Sequence, residues 1–292
     1  TLSSSSAASD VYKRQASRTI IGAARYTEEH NAPALALIEP FALPAGSKTV
    51  TVPKVGQMTM SDLVDGQDII DEEDIGMTTV DLTASEVGAK VILTDKLVRQ
   101  SAPNVMTMIG RQLGDAMARK KDGDVLDLYT NLNGGTKLGT AGTSFKAANV
   151  QAIIAYAKAN KFGSQLYILH HPNAVAYLSK EAATVSASSS VPDGWTADLL
   201  QNFWSGLRPM NGVAIFEDGN ISEDASGDGI GVIADKSAMA ALTSVQTRQE
   251  RQRDASLRAT EVILTSDYGV FELDDSRGAG LTYDISTLST TA

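Results

Sequence analysis

Apolar side chains recur at four-residue steps at Val105, Ile109, Leu113 and Met117, and again at helical spacing at Val125, Leu128 and Leu132. That is the period of a helix with one buried stripe. Ser101-Ala102-Pro103 in front supplies a capping hydroxyl and a proline suited to a first turn. Asn131-Leu-Asn-Gly-Gly135 behind supplies residues that tolerate left-handed backbone. The pattern predicts one helix over 101–132, about 45 Å long at 1.5 Å per residue. Its polar face mixes signs, with Arg111, Asp115, Arg119, Lys120, Lys121, Asp122 and Asp124, and is expected to meet solvent or a neighbour.

A period of two governs other stretches. Lys48–Pro53 and Met77–Thr83 alternate like strands, which predicts a long hairpin arm over 47–86. Its tip holds seven acidic residues, Asp62, Asp65, Asp68, Asp71, Glu72, Glu73 and Asp74, and no basic one between them. Val87–Leu93 is a further strand candidate. Ser144–Lys158 carries the stripe Val150, Ile153, Ile154 and Ala157 of a helix, Leu166–Leu169 is a short buried strand, and Pro172–Lys180 opens a helix with proline in its first turn. Residues 181–194 predict a loop and Trp195–Gly206 a short helix. Gly212–Phe216 and Gly229–Ala234 predict a strand pair joined by an acidic loop, and two strands follow at Ala259–Leu264 and Tyr268–Leu273.

The fold class is therefore α+β, with an α/β unit over 136–240 inserted into an outer unit of 87–135 and 241–285. The stripe of the long helix is expected to pack on the late strands. Residues 16–46 contain Pro33, Pro40 and Pro44, and X-Pro steps disfavour helix, so an extended arm is expected. Residues 1–15 lack periodicity, and Asp10–Gln15 reads like the translation of a transposase recognition end used in sequencing libraries. They are expected to be a disordered or artefactual leader. Residues 286–292 form a tail.

Composition narrows the function classes. The 292 residues are 42% hydrophobic and 21% charged, as in an ordinary globular chain. No apolar run is long enough to span a bilayer. The absence of cysteine excludes disulfides and thiolate chemistry. A net charge of −10 opposes broad binding to nucleic acid, which depends on Lys and Arg neutralising phosphates, so any such contact must be local.

Candidate chemistry is sparse. His170-His171 could suggest a metal or a general base, yet neighbouring residues on a strand point to opposite faces. Asp224-Ala-Ser-Gly-Asp228-Gly229 with Asp235 echoes a calcium loop, but strands rather than helices flank it. There is no Gly-x-Ser-x-Gly elbow, phosphate-binding Gly-Lys-Ser/Thr loop or dinucleotide glycine fingerprint. Neither an enzyme nor a bound metal or cofactor is expected.

Four segments resemble a known family. Ile92-Leu-Thr-Asp-Lys-Leu-Val-Arg-Gln-Ser-Ala-Pro-Asn104, Leu169-His-His-Pro172, Arg251-Gln-Arg-Asp-Ala-Ser-Leu-Arg-Ala-Thr-Glu261 and Tyr268-Gly-Val-Phe-Glu272 are similar to segments of tailed-bacteriophage major capsid proteins. The element order over 31–285 agrees with their Hong-Kong-97-like fold: N-terminal arm, extended hairpin loop, spine helix with peripheral sheet, and inserted axial domain. The resemblance implies a virion shell subunit that forms hexamers and pentamers around packaged double-stranded DNA. It also implies synthesis in the bacterial host cytoplasm, portal and scaffolding proteins as partners, and no membrane. An encapsulin-like compartment shell shares the fold, and a soluble α/β enzyme is the reading of another class.

In a closed lattice the acidic tip could meet a neighbour's arginines Arg248, Arg251, Arg253 and Arg258, several charges acting together where isolated surface pairs would contribute little. The competing use of the arginines is contact with DNA on the inner surface.

Overall fold

The computed structural model describes residues 32–44, 46–54, 77–96, 104–185 and 212–287. In chain order the elements are α1 (Pro33–Leu37), β1 (Glu39–Ala42), β2 (Thr49–Lys54), β3 (Thr78–Thr83), β4 (Ser85–Thr94), α2 (Asn104–Leu128), β5 (Leu138–Gly139), α3 (Ala147–Ala159), β6 (Leu166–His170), α4 (Pro172–Val185), β7 (Ala214–Glu217), β8 (Asp228–Asp235), β9 (Met239–Asp254), β10 (Ala259–Glu272) and β11 (Gly278–Asp284). They build a four-stranded sheet ordered β1-β9-β10-β4, a five-stranded sheet ordered β5-β11-β8-β6-β7, and the hairpin β2-β3.

The five-stranded sheet is covered on both faces, as strand alternation requires. Ile168, Ile233, Leu281 and Tyr283 meet Val150, Ile153 and Ile154 of α3 and Val175 and Leu178 of α4. The opposite set, Tyr167, Leu169, Val232 and Ala234, meets Val125, Tyr129 and Leu132 from the end of α2 and the turn after it, with Ala34 and Ile38. In the four-stranded sheet, Leu93, Val262 and Leu264 are covered on one face by Leu113, Met117 and Ile109 of α2, while at its other end Ala240, Leu242 and Phe271 pack against the hairpin β2-β3. One helix thus serves two sheets. Its stripe packs on the late strands only in the first half; the second half belongs to the inner sheet.

The helix itself is shorter than the expected 101–132, ending at Leu128. Residues 129–135 wind into turns, and Asn133, Gly134 and Gly135 take φ of 61°, 62° and 75°. The expected cap at Ser101–Pro103 lies outside the described residues. Lys121 and Asp122, expected on the polar face, are buried at 7% and 0% exposure. They fall where α2 passes from one sheet to the other, and β9 and α1 close over that side.

Other expectations change in detail. Residues 33–37 form a helix rather than an extended arm, because Pro33 occupies the first turn, where a missing N–H costs nothing. Strand β1 then pairs in parallel with β9. The helix from Pro172 continues to Val185, into residues expected as loop; the remainder of 186–194 and Trp195–Gly206 lie outside the described residues. Strands β7 and β8 are not partners, since β6 lies between them. The two late strands are one strand, β10, with an irregularity between Thr265 and Tyr268. Strand β11 pairs with β8 along Gly278–Asp284, so these residues belong to the inner sheet and not to the outer unit of 241–285.

Two short 3₁₀ turns carry the chain between the sheets, Lys236–Ala238 outward and Asp275–Arg277 back. They run side by side: Leu273 N–H donates to Ala238 O at 2.9 Å, and Arg277 Nη1 donates to Ser237 Oγ at 2.9 Å.

Leu264, fully buried beneath α2, gives a direct test of the outer core. Leu264→Ala should lower the unfolding free energy by about 2–5 kcal/mol, read from denaturant midpoints, because a cavity adds to the lost transfer energy.

Candidate functional site

Strand pairing sorts the four arginines. Val262 and Leu264 face α2, and their partners across the ladder are Arg251 and Gln249, so Arg251 lies on the helix-covered face, with Arg253 two residues on. Arg248, paired with Thr265, lies on the opposite, open face. Arg258 sits in the turn joining β9 to β10, with φ of 47°. The expected cluster is therefore split between two faces and a tip.

Each arginine has its own setting. Arg253 makes a bidentate pair with Asp95, both distances 2.7 Å, which fixes the planar guanidinium; Asp95 also donates its N–H to Arg258 O at 3.0 Å. Burial holds the Arg251 guanidinium below its ordinary pKa. Arg248 lies 3.3 Å from Glu250 with about half of each side chain exposed. The open face adds the Lys90–Glu261 pair at 2.9 Å and Ile92, which is 45% exposed. Alternating charge around exposed apolar groups suits a surface that another protein covers.

The acidic residues Asp62 to Asp74 lie outside the described residues, but the base of their hairpin is firmly placed. Leu82 is fully buried, and Val50, Val52 and Val80 pack with it on Ala240, Leu242 and Phe271. Gly269 permits the close approach, since a Cβ there would stand 2.3 Å from Thr83 O. Lys54 reaches Asp274 at 2.6 Å, and Arg277 joins the same carboxylate at 3.0 Å. Burial alone would raise the Asp274 pKa, but hydrogen bonds from Lys54 and Ser276 hold it below the ordinary carboxylate range.

The remaining candidates are structural. His170 is fully buried and stacked on Phe145, with centroids 5.5 Å apart. Burial first, then His171, lowers its pKa to about 3, so the ring is neutral. In the 224–235 segment, Asp224 Oδ1 accepts the N–H groups of Ser226 and Asp228 at 2.7 and 2.9 Å. Asp228 Oδ1 accepts Gly142 N–H, and Asp235 Oδ1 accepts Gln165 N–H. These carboxylates hold turns. A groove of about 560 Å³ between α1, β1 and β9 sets Leu35, Ala36 and Phe41 against Lys121, Gln246 and Thr247, which provides no paired acid and base.

Sequence reasoning missed a repeated device. Asp-x-Ser occurs at 224–226, 235–237, 254–256, 274–276 and 284–286. In every case the serine N–H donates back to the aspartate carboxylate, at 2.7, 3.3, 2.8, 3.1 and 2.8 Å. Such Asx turns mark strand ends and reversals, so the repeat locates both crossings between the sheets and the tip that carries Arg258.

Comparison with known proteins places these features. The model of the family described as phage capsid protein matches residues 77–280. No curated protein matches the sequence. Among solved structures, the head of Helicobacter pylori bacteriophage KHP40 is similar with a TM-score of 0.64 at 13% identity, covering 86% of this chain and 89% of that one. Mycobacterium phage Che8 gives 0.58 at 16% identity, over 80% and 84%. An encapsulin complex from Synechococcus elongatus gives 0.61 at 12% identity, over 89% and 91%. At these identities the likeness concerns the mixed α+β fold.

Two substitutions test these assignments. Asp274→Ala deprives Lys54, Arg277 and the Ser276 N–H and hydroxyl of their acceptor; it should cost about 2–3 kcal/mol and speed proteolysis within 46–54, whereas Lys54→Met should cost under about 1 kcal/mol. His170 should make the fold acid-sensitive. A depressed folded-state pKa gives stability that is complete above the ordinary histidine value and lost as pH falls toward 3. A His170→Gln variant should show a flatter stability profile over that window.

Proposed function

The chain belongs to the phage capsid protein family, and on that premise we propose that it closes into hexamers and pentamers of an icosahedral shell around double-stranded DNA. It is a major capsid protein, a structural subunit of the phage virion. In the proposed arrangement α2 is the spine helix, and the four-stranded sheet with α2 is the peripheral domain. The five-stranded sheet with α3 and α4 is the axial domain. The hairpin β2-β3 is the base of the extended loop, and residues 16–46 are the N-terminal arm. The subunit is made in the bacterial host cytoplasm, works with portal and scaffolding proteins, and has no catalytic role. The family match over 77–280 is the observation that carries this reading. It also favours a phage shell over an encapsulin-like compartment, whose fold is equally similar.

Identical subunits closing rings need heterologous surfaces, two different patches that fit one another. We assign one patch to the acidic tip, Asp62 to Asp74, and the other to the neighbour's open sheet face and β9–β10 turn. The split of the arginines refines that pairing. Arg248 and Arg258 are exposed and free of the covered face, while Arg253 is committed to Asp95 and Arg251 is half-buried. The tip therefore reads chiefly Arg248 and Arg258. Like-charge mismatch would reject wrong registers.

Negative-stain microscopy of the purified full chain decides the main reading: shells or capsomer rings are expected, and a uniform 30.8 kDa monomer under all assembly conditions would falsify it. For the contact, Asp71→Lys, Glu72→Lys and Glu73→Lys combined should reduce shell yield, and adding Arg248→Glu and Arg258→Glu should recover part of it. Unchanged yield and salt tolerance in the triple variant would refute the pairing.

A further inference from the structure

The middle of α2 buries Asp122 completely. One carboxylate oxygen accepts the Ala34 N–H of α1 at 3.0 Å, and the other accepts Asn220 Nδ2 at 2.8 Å. Asn220 belongs to the loop after β7, and the same loop sends in a second acid. Asp218 is 2% exposed, and Asn220 bridges the two acids, its side chain on Asp122 and its backbone on Asp218. Asp218 Oδ1 accepts the Asn220 N–H at 2.8 Å, while Oδ2 is buried with no donor among the described residues.

Two ionised carboxylates held by one bridging residue, away from water, repel strongly, and an orphaned buried oxygen adds its own desolvation cost. A proton held between them removes both penalties, because one carboxyl then donates to the other. We propose that Asp218 holds a proton directed at Asp122, and that this proton is a latch holding the loop after β7 against the middle of α2, with α1 seated on the Asp122 carboxylate.

Among the described residues the surroundings supply no competing cation. From α2 the pair meets Tyr129, whose phenol burial first, then Tyr167 and the two acids, push far above its ordinary pKa. Lys121, next along α2, directs its ammonium at Thr247 and the Tyr268 ring. From β6 come Tyr167, likewise raised by burial, and His170, neutral, whose carbonyl accepts the Asp218 N–H at 3.0 Å. The segment α1 offers only its backbone. In agreement, the Asp218 pKa is pushed up to about 7, by burial first and by the hydrogen bond with Asp122 next.

The sign follows. A carboxyl raised in the folded state stabilises fully below the ordinary carboxylate range; that contribution shrinks as pH rises and is gone above about 7. With one pKa unit worth a decade, the folding equilibrium constant of the full chain, relative to Asp218→Asn, should fall by up to about a thousand-fold between pH 4 and 7.5. Parallel profiles for the two proteins would overturn the proposal.

A chain that keeps both Asp122 and Asp218 gives a second test. Its infrared difference spectrum should contain a protonated-carboxyl band at pH 5.5 that disappears through pH 7. The measurement belongs in a Glu272→Gln background, because partial burial first, and then the neighbouring Asp275, also raise the half-buried Glu272. The amides of Asp218 and Asn220, corrected for intrinsic exchange, should lose protection over the same interval. Absence of the band, or protection unchanged from pH 5.5 to 8, sinks the latch.

Discussion

A helix that must satisfy two sheets at once dominates this molecule. Helix α2 spans roughly 37 Å at 1.5 Å per residue, too long to be covered by one small core. Its first half lies on Val262 and Leu264 of the outer sheet, and its second half on Leu169 and Val232 of the inner one. Between those contacts the helix is enclosed without being apolar, and Lys121, Asp122 and Asp124 must all find partners there. Lys121 lies 5.1 Å over the Tyr268 ring, the Tyr268 hydroxyl donates to Asp124 at 2.7 Å, and Asp122 takes donors from α1 and from the loop after β7. Buried charges are costly when left alone and specific when satisfied, so this crossing fixes how the two sheets stand relative to each other.

The second link between the sheets is the pair of 3₁₀ turns, each closed by an Asp-x-Ser turn. Because they hydrogen-bond to one another, neither sheet can shift without breaking both. Asp274 then couples this junction to the hairpin, since the carboxylate that caps the return turn also anchors Lys54. The long helix, the twin turns and the hairpin base form one frame. The β9–β10 turn, where Leu257 and Arg258 are exposed, lies outside this frame.

Legibility in the sequence followed the range of the signal. Four-residue apolar steps located α2 and α3, and alternation located β2, β3 and β4, because each of those signals is local. The same steps could not say that α2 changes partners between Met117 and Val125, since periodicity reports burial and not what does the burying. Lys121 and Asp122 looked exposed by residue type, and only the closure of α1 and β9 over them makes them interior. Strand β9 was obscured because both its faces are polar around Arg248 to Arg253, leaving no apolar alternation; its strand character comes from pairing with β10. Strand β11 was placed in the wrong unit because its partner, β8, lies some fifty residues upstream. Of the candidate contact residues, the arginines were found by composition alone, and their division between two faces needed the register of β9 on β10.

That division bears on what a shell contact can achieve. Exposed ion pairs are worth little singly, and Arg253 spends its directional hydrogen bonds on Asp95, where they shape the tip rather than bind a partner. In the proposed contact, affinity would therefore come largely from apolar surface such as the exposed Ile92 and Leu257, with charge choosing orientation and register. A subunit built this way is held rigid by buried polar contacts at its centre, and in the proposed contact it would adhere through small mixed patches at its edges. Weak, repeated and orientation-sensitive contacts let a misplaced copy leave again before a closed shell traps it, which suits assembly from many identical parts.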